Sequence, residues 1–273
     1  MTNGVLCFAN NNGIIDYIKQ ATFLANRVRL HLDLPTTLVT SSHKSIPDNH
    51  PFDNVIIVAD DSSNSKRYSD GSLTHKKLYF KNSGRANSYD LTPYDQTLVL
   101  DTDYVICNDD FKHAFGTEHF QIYKDGVDLS SWRYHSEFDY INDTGIPFYW
   151  ATCFCFKKND ETQMFFKLLQ HIVEYWNHYK NVYDLGSRNF RNDHAFSIAI
   201  HMMNGFEDSN WAKILPGKMF YTLDKDILRS INDNKLSFLL EKQHYVGEYT
   251  LASTKDINVH VMNKFSLERI INV

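Results

Sequence analysis

Apolar and polar positions follow two different rhythms along the front of the chain. Residues 4–9 (GVLCFA) are a short continuous apolar run that ends in the polar turn 10–13, which predicts a buried strand. Ile14, Ile18, Ala21, Ala25, Val28 and Leu32 then recur at alternating spacings of 4 and 3, the stripe of an amphipathic helix. Pro35 stops that pattern, and TTLV (36–39) and NVIIVA (54–59) predict two more strands. A strand–helix–strand opening predicts an α/β front half with a mostly parallel central sheet. Ligands are expected beyond the carboxyl ends of its strands.

The rear of the chain reads differently. TLVL (97–100) runs into Asp101-Thr102-Asp103 and a second apolar stretch, YVIC (104–107). FYWATCFCF (148–156) predicts a buried strand, and Phe165, Leu168, Leu169, Ile172 and Trp176 predict a helix. A shorter helix is expected over 193–203 and a last strand at INVHVM (257–262). No repeat, low-complexity tract or linker divides the chain. The expectation is α/β: one domain with a mostly parallel central sheet and a mixed α+β C-terminal half.

Composition narrows the function classes. Across 273 residues, 28 basic and 33 acidic side chains leave a net charge of -5, which argues against wholesale electrostatic binding of nucleic acid. Much of the 19 Phe, 16 Tyr and 4 Trp must fill the core, and the Tyr surplus is either core and surface residues or the lining of a pocket for planar or sugar ligands. Four cysteines (Cys7, Cys107, Cys153, Cys155) form no CxxC pair and are expected as buried free thiols. No run approaches 18 apolar residues and the N-terminus lacks a signal-peptide pattern, so a cytoplasmic protein without a membrane span is expected.

Asp101 and Asp103 are the most informative pair. Carboxylates at i and i+2 after a buried strand lean the same way and can share one hard divalent cation; the alternative is a solvated turn. Both are expected at an exposed strand end, where losing a carboxylate opens no core cavity. His260, in the last strand, is either a third metal ligand or a satisfied core histidine. Asp193 is either the N-cap of its helix or an acidic group facing substrate. Arg85, ahead of the first aspartate, is either solvated or a phosphate partner. HExxH, GxGxxG and Walker patterns are absent, so zinc hydrolases, dinucleotide oxidoreductases and P-loop enzymes have no support.

Three pieces of this sequence resemble glycosyltransferases of the GT-A fold, in the style of family 8. FANNNGIIDY is similar to the first strand and turn that hold the nucleotide, which implies that Asn10 and Tyr17 grip the nucleoside. LVLDTDYVICND is similar to the metal-binding motif, with Asp101 and Asp103 in register. NVHVMNK is similar to the late segment whose His completes the metal shell and whose Lys meets the diphosphate, hence His260 and Lys264; the family's HxxGxxK is here His260-Val-Met-Asn-Lys264.

The resemblance implies Mn²⁺ or Mg²⁺, a nucleoside diphosphate sugar donor (a UDP-sugar), and Asp193 beside the transferred sugar. Lys264 or Arg85 would support the leaving phosphate, and Trp150-Ala151-Thr152 would floor the sugar pocket. Residues 1–110 would form the nucleotide-binding half and residues 111–273 the sugar and acceptor half. A non-catalytic nucleotide-sugar-binding relative and a nucleotidyltransferase are the rival readings.

The chain also resembles glycosyltransferase-like proteins of tailed phages, which would place it in a host cytoplasm. Two basic-aromatic stretches, residues 75–81 and 188–191, then suggest hydroxymethylated DNA as an acceptor alternative to a glycan or small molecule.

Overall fold

A computed structural model describes residues 1–59, 65–68, 77–80, 83–131, 135–143, 145–186, 189–208, 210–242 and 247–271. In chain order the elements begin with β1 (Asn3–Phe8), α1 (Tyr17–Leu32), β2 (Thr36–Thr40), β3 (Asn54–Ile57), β4 (Ser65–Tyr68) and β5 (Lys77–Phe80). Then come α2 (Ser88–Leu91), β6 (Gln96–Leu100), β7 (Tyr104–Val105), β8 (Phe120–Tyr123), β9 (Gly126–Asp128) and β10 (Trp150–Lys157). Helices α3 (Asp160–Glu174), α4 (Trp176–Val182) and α5 (Asn192–Met203) follow. The C-terminal part holds β11 (Lys213–Ile214), β12 (Met219–Thr222), β13 (Leu228–Asn232), β14 (Lys235–Glu241), β15 (Tyr249–Lys255), β16 (Val259–Val261) and α6 (Lys264–Ile270).

The central sheet has seven strands in the order β11-β8-β10-β6-β1-β2-β3. It is parallel except where β10 runs against both β6 and β8. The chain leaves β1 towards β2 and β3 on one side and returns to β6 on the other. That reversal puts a topological switch point between β1 and β6, where α/β sheets open a crevice at the carboxyl ends of their strands. Asn10 follows β1 and Asp101 follows β6, so both lie at that edge.

The strands sit where the apolar runs fall, because Val5, Leu6 and Cys7 and then Leu98, Val99 and Leu100 are all buried. In α1 the predicted stripe from Ile18 to Leu32 packs into the same core. Ile14 does not join it: this residue is exposed in the preceding turn, and Asp16 caps α1 by accepting the Lys19 N–H at 3.0 Å. A capping box of Asn159 and Thr162 opens α3, which ends before Trp176 rather than at it, since Tyr175 breaks the helix and Trp176 begins α4. All four cysteines are free and buried.

A second sheet, β7-β16-β12-β9, lies beside the first. Only Tyr104 and Val105 of the predicted 104–107 strand pair with it, antiparallel to β16. An antiparallel meander, β13-β14-β15, completes the mixed rear half around a smaller core of Leu228, Leu236, Phe238 and Val259. Among the described residues no helix is long and apolar enough to cross a membrane.

Candidate metal and sugar-nucleotide site

The β6 strand runs straight to Asp101, whose backbone N–H still reaches across to Thr152 O of β10 at 2.9 Å. A tight turn follows, with Tyr104 N–H on Asp101 O, and Val261 N–H of β16 then bonds Asp103 O at 2.9 Å. The two aspartates are therefore clamped between the two sheets. This clamp corrects the expectation of an exposed strand end: Asp103 is 1% exposed and only Asp101 is partly open.

The side chains converge in an ordered way. His260 Nε2 lies 3.1 Å from Asp103 Oδ1 and 3.9 Å from Asp101 Oδ2. The outer oxygens face cations instead. Arg85 holds Asp101 Oδ1, and Lys264 Nζ holds Asp103 Oδ2 at 2.7 Å. His260 is buried with its ring stacked on Tyr104, centroids 4.9 Å apart, and its Nδ1 has no partner among the described residues. Nε2 is thus the nitrogen turned to the carboxylates.

One ligand atom from each of Asp101, Asp103 and His260 lies within 4.8 Å of the others. Atoms that share one cation at about 2.0–2.5 Å are separated by at most about twice that distance. Two carboxylate oxygens and an imidazole nitrogen also form a donor set that a divalent cation can use. The residues fit such an ion.

Electrostatics support the same picture. Burial by itself pushes the Asp103 carboxyl up, but the His260 and Lys264 charges outweigh it and hold the group far below the usual carboxylate range. The main chain of Lys264 is held from α1, because Gln20 donates to its carbonyl at 3.3 Å. Sequence reading missed Gln20, whose full burial is set by tertiary packing and leaves no pattern in the sequence.

Asp193 is not the N-cap of α5. Arg191 occupies the cap position without a side-chain bond, and Asp193 lies in the first turn, buried. Its Oδ1 accepts the Ala151 N–H at 3.0 Å and its Oδ2 pairs with Arg191 at 3.0 Å. Arg85 donates to the carbonyl of the same Ala151 at 3.4 Å. One residue, Ala151, thus bridges Asp193 to the Arg85–Asp101 pair through the peptide groups on either side of its Cα. Burial works to raise the Asp193 carboxyl, and Arg191, His194 and Arg85 pull it below the ordinary value instead.

Asn10 and Tyr17 sit at the crevice edge, but Asn10 Oδ1 is engaged by Ser41, accepting its N–H at 2.7 Å and its hydroxyl at 3.0 Å. Tyr17 begins α1 and is half-buried. Of the basic-aromatic stretches, Arg191 is paired with Asp193 and lies over Phe148, and Phe190 packs edge-on against Trp176. Arg188 and the side chains of residues 75–81 lie outside the described residues.

Neither a protein-family model nor a curated protein matches this sequence. Among solved structures it is similar to the glycosyltransferase GlyE of Streptococcus pneumoniae TIGR4, at 13% identity and a TM-score of 0.43. That match covers 79% of this chain and 45% of GlyE, so the chain spans less than half of that protein. It is also similar to the galactosyltransferase LgtC in complex with donor and acceptor sugar analogues, at 10% identity and a TM-score of 0.47, covering 78% of this chain and 73% of that one.

Proposed function

We propose that the chain is a metal-dependent glycosyltransferase of GT-A type, moving a sugar from a nucleoside diphosphate sugar, a UDP-sugar, to a hydroxyl of a glycan or small molecule. The observation that carries this reading is the convergence of Asp101 Oδ2 and Asp103 Oδ1 on His260 Nε2 beside the switch point, with a cation on each outer oxygen.

Asp101, Asp103 and His260 would hold the Mn²⁺ or Mg²⁺, which when bound supplies charge neutralisation for a diphosphate. Arg85 and Lys264 then face the phosphates as donors, Arg85 held by Ala151 O and Asp101 and the Lys264 ammonium by Met262 O and Asp103. Asn10 shapes the nucleoside edge through Ser41, and Tyr17 offers its ring there. Residues 1–110 form the nucleotide half, completed by His260 and Lys264 from the 111–273 half.

Asp193 has both oxygens engaged and a lowered pKa, which makes it a weak proton acceptor near neutrality. We assign it to orienting the transferred sugar by accepting a hydroxyl hydrogen bond, not to deprotonating the acceptor. Its link through Ala151 keeps that carboxylate in register with Asp101.

The test is release of UDP from a panel of UDP-sugars with Mn²⁺ or EDTA present. Metal-stimulated release supports an enzyme. Binding without release would make the chain a nucleotide-sugar-binding module, and release of pyrophosphate from a nucleotide would make it a nucleotidyltransferase.

A further inference from the structure

His260 and Tyr104 face each other as a cross-strand pair of β16 and β7, so both side chains rise from the same face of the second sheet. Their rings are nearly parallel, at 17° with centroids 4.9 Å apart. The tyrosine is itself held on its other sides. Phe111 meets it edge-on at 6.1 Å and 76°, and its hydroxyl shares a hydrogen bond with Thr152 Oγ1 at 3.3 Å. Its backbone N–H bonds Asp101 O, so the ring is anchored to the turn that carries both carboxylates. Tyr104 and His260 are both buried, and neither ring is free to turn into solvent.

Hydrogen bonding does not hold this imidazole as a metal ligand. Nε2 lies 3.1 Å from Asp103 Oδ1, a bond to an ionised carboxylate that needs the proton on Nε2. A nitrogen that ligates a cation gives its lone pair and carries no proton, so Nε2 loses that bond when it becomes a ligand. The proton then belongs on Nδ1, which is buried and has no hydrogen-bond partner among the described residues. Ligating histidines almost always donate from the far nitrogen to an acceptor behind it, and that bond fixes the orientation of the ring. Here it is missing. The stack on Tyr104 uses neither nitrogen, so it persists through the exchange of proton for cation.

We infer that Tyr104 is a positioning residue for the metal site: its ring, in place of a hydrogen bond, sets the plane of the His260 imidazole and keeps Nε2 on Asp101 and Asp103. Tyr104 itself touches neither cation nor nucleotide. The inference rests on the metal reading of Asp101, Asp103 and His260, and it adds the residue on which the third ligand depends.

The experiment measures Mn²⁺ affinity of the full chain from the electron paramagnetic resonance of free Mn²⁺. Wild type is compared with Tyr104→Phe, Tyr104→Leu, His260→Ala and the double variant Tyr104→Leu with His260→Ala. Groups that orient a ligating histidine are worth about ten- to a hundredfold in metal affinity, so Tyr104→Leu should lose at least about tenfold. Tyr104→Phe keeps the stack and should stay close to wild type. In the His260→Ala background the Leu replacement should change affinity by less than about twofold, the scatter of uncoupled sites. A residue that serves folding alone would lower Tm in EDTA without that dependence on His260. Unchanged affinity in Tyr104→Leu, an equal loss in Tyr104→Phe, or an equal loss with and without His260 would each overturn the inference and leave the metal reading standing. Wild-type affinity in His260→Ala, or no Mn²⁺ binding by the wild-type chain, would overturn that reading and the inference with it. The unmodified protein decides the matter even if Tyr104→Leu fails to fold. The Tyr104 ring current shifts the carbon-bound ring protons of His260 upfield, and that shift should persist at saturating Mg²⁺; its loss on Mg²⁺ binding would show that the ligating ring leaves the stack.

Discussion

Asp103→Asn separates a ligand from a structural carboxylate. Asp103 receives Lys264 at 2.7 Å and His260 at 3.1 Å, both charge-assisted when the partner is cationic. Such bonds are worth about 1.5–3 kcal/mol each, which bounds the loss at about 3–6 kcal/mol. Three effects reduce it. The amide still accepts one hydrogen bond, and its burial no longer carries the desolvation cost of a charge. Lys264, whose side chain is 19% exposed, can turn its ammonium to water. A net loss of about 2–3 kcal/mol remains, which for a chain of this size is about 4–12 °C in Tm.

The metal arm is more diagnostic. Wild type at Mn²⁺ a hundredfold above Kd gains about 2.7 kcal/mol by mass action, and the variant should gain far less. Thermal melts of both proteins in EDTA and in Mn²⁺ give all four values. Equal Mn²⁺ shifts in the two proteins would show that Asp103 binds no metal, whatever its stability cost.

Three further outcomes follow from the same structure. Asp193→Asn keeps an acceptor for Ala151 N–H but releases Arg191, so metal-dependent turnover should fall by at least about tenfold with an unchanged Mn²⁺ shift in Tm; a loss of metal affinity instead would place Asp193 in the metal shell. Asp128 is fully buried, and hydrogen bonds from Ser130 and Ser131 overcome the upward push of burial and lower its pKa. Its stabilisation is therefore complete above the unfolded value of about 3.9 and is lost as pH falls through the lower folded value. Asp128→Asn should flatten the acid limb of the Tm–pH curve, and parallel curves would refute this. Gly4→Ala would place a Cβ 2.3 Å from the Tyr94 ring, which also bonds Thr37, so overpacking of about 1–3 kcal/mol is expected in denaturant melts; an unchanged midpoint would mean that Tyr94 moves freely.

The front half was legible because its periodicities are undisturbed: β1, α1, β2 and β6 fall on continuous runs and a single helical stripe. The rear half was less so. Leu236, Phe238 and Leu240 alternate inward along β14, a two-residue period that was present in the sequence, yet the whole meander went unread because its partners are polar on the outer face. Asp101 and Asp103 were legible from spacing. His260, 157 residues from Asp103 in sequence, was reached through resemblance, since no local pattern links a strand histidine to a distant carboxylate. Gln20 was invisible as a site residue, and Arg191 was read only within the basic stretch 188–191 and not as the partner of Asp193, a pairing that tertiary packing sets. The Asp193 cap reading failed because a buried N–H on β10 competes for that carboxylate better than the helix end does.

The position of β16 between β7 and β12 has a kinetic consequence. The second sheet has no centre until residues 259–261 insert, and they pair with strands about 155 and 39 residues earlier, at high loop-closure cost. The carboxylate pair can be anchored on β6 before then, but the imidazole and the Lys264 ammonium arrive only with this insertion. During refolding, recovery of metal affinity should therefore lag the burial of the front-half core, and the interval between them times the docking of a single three-residue strand.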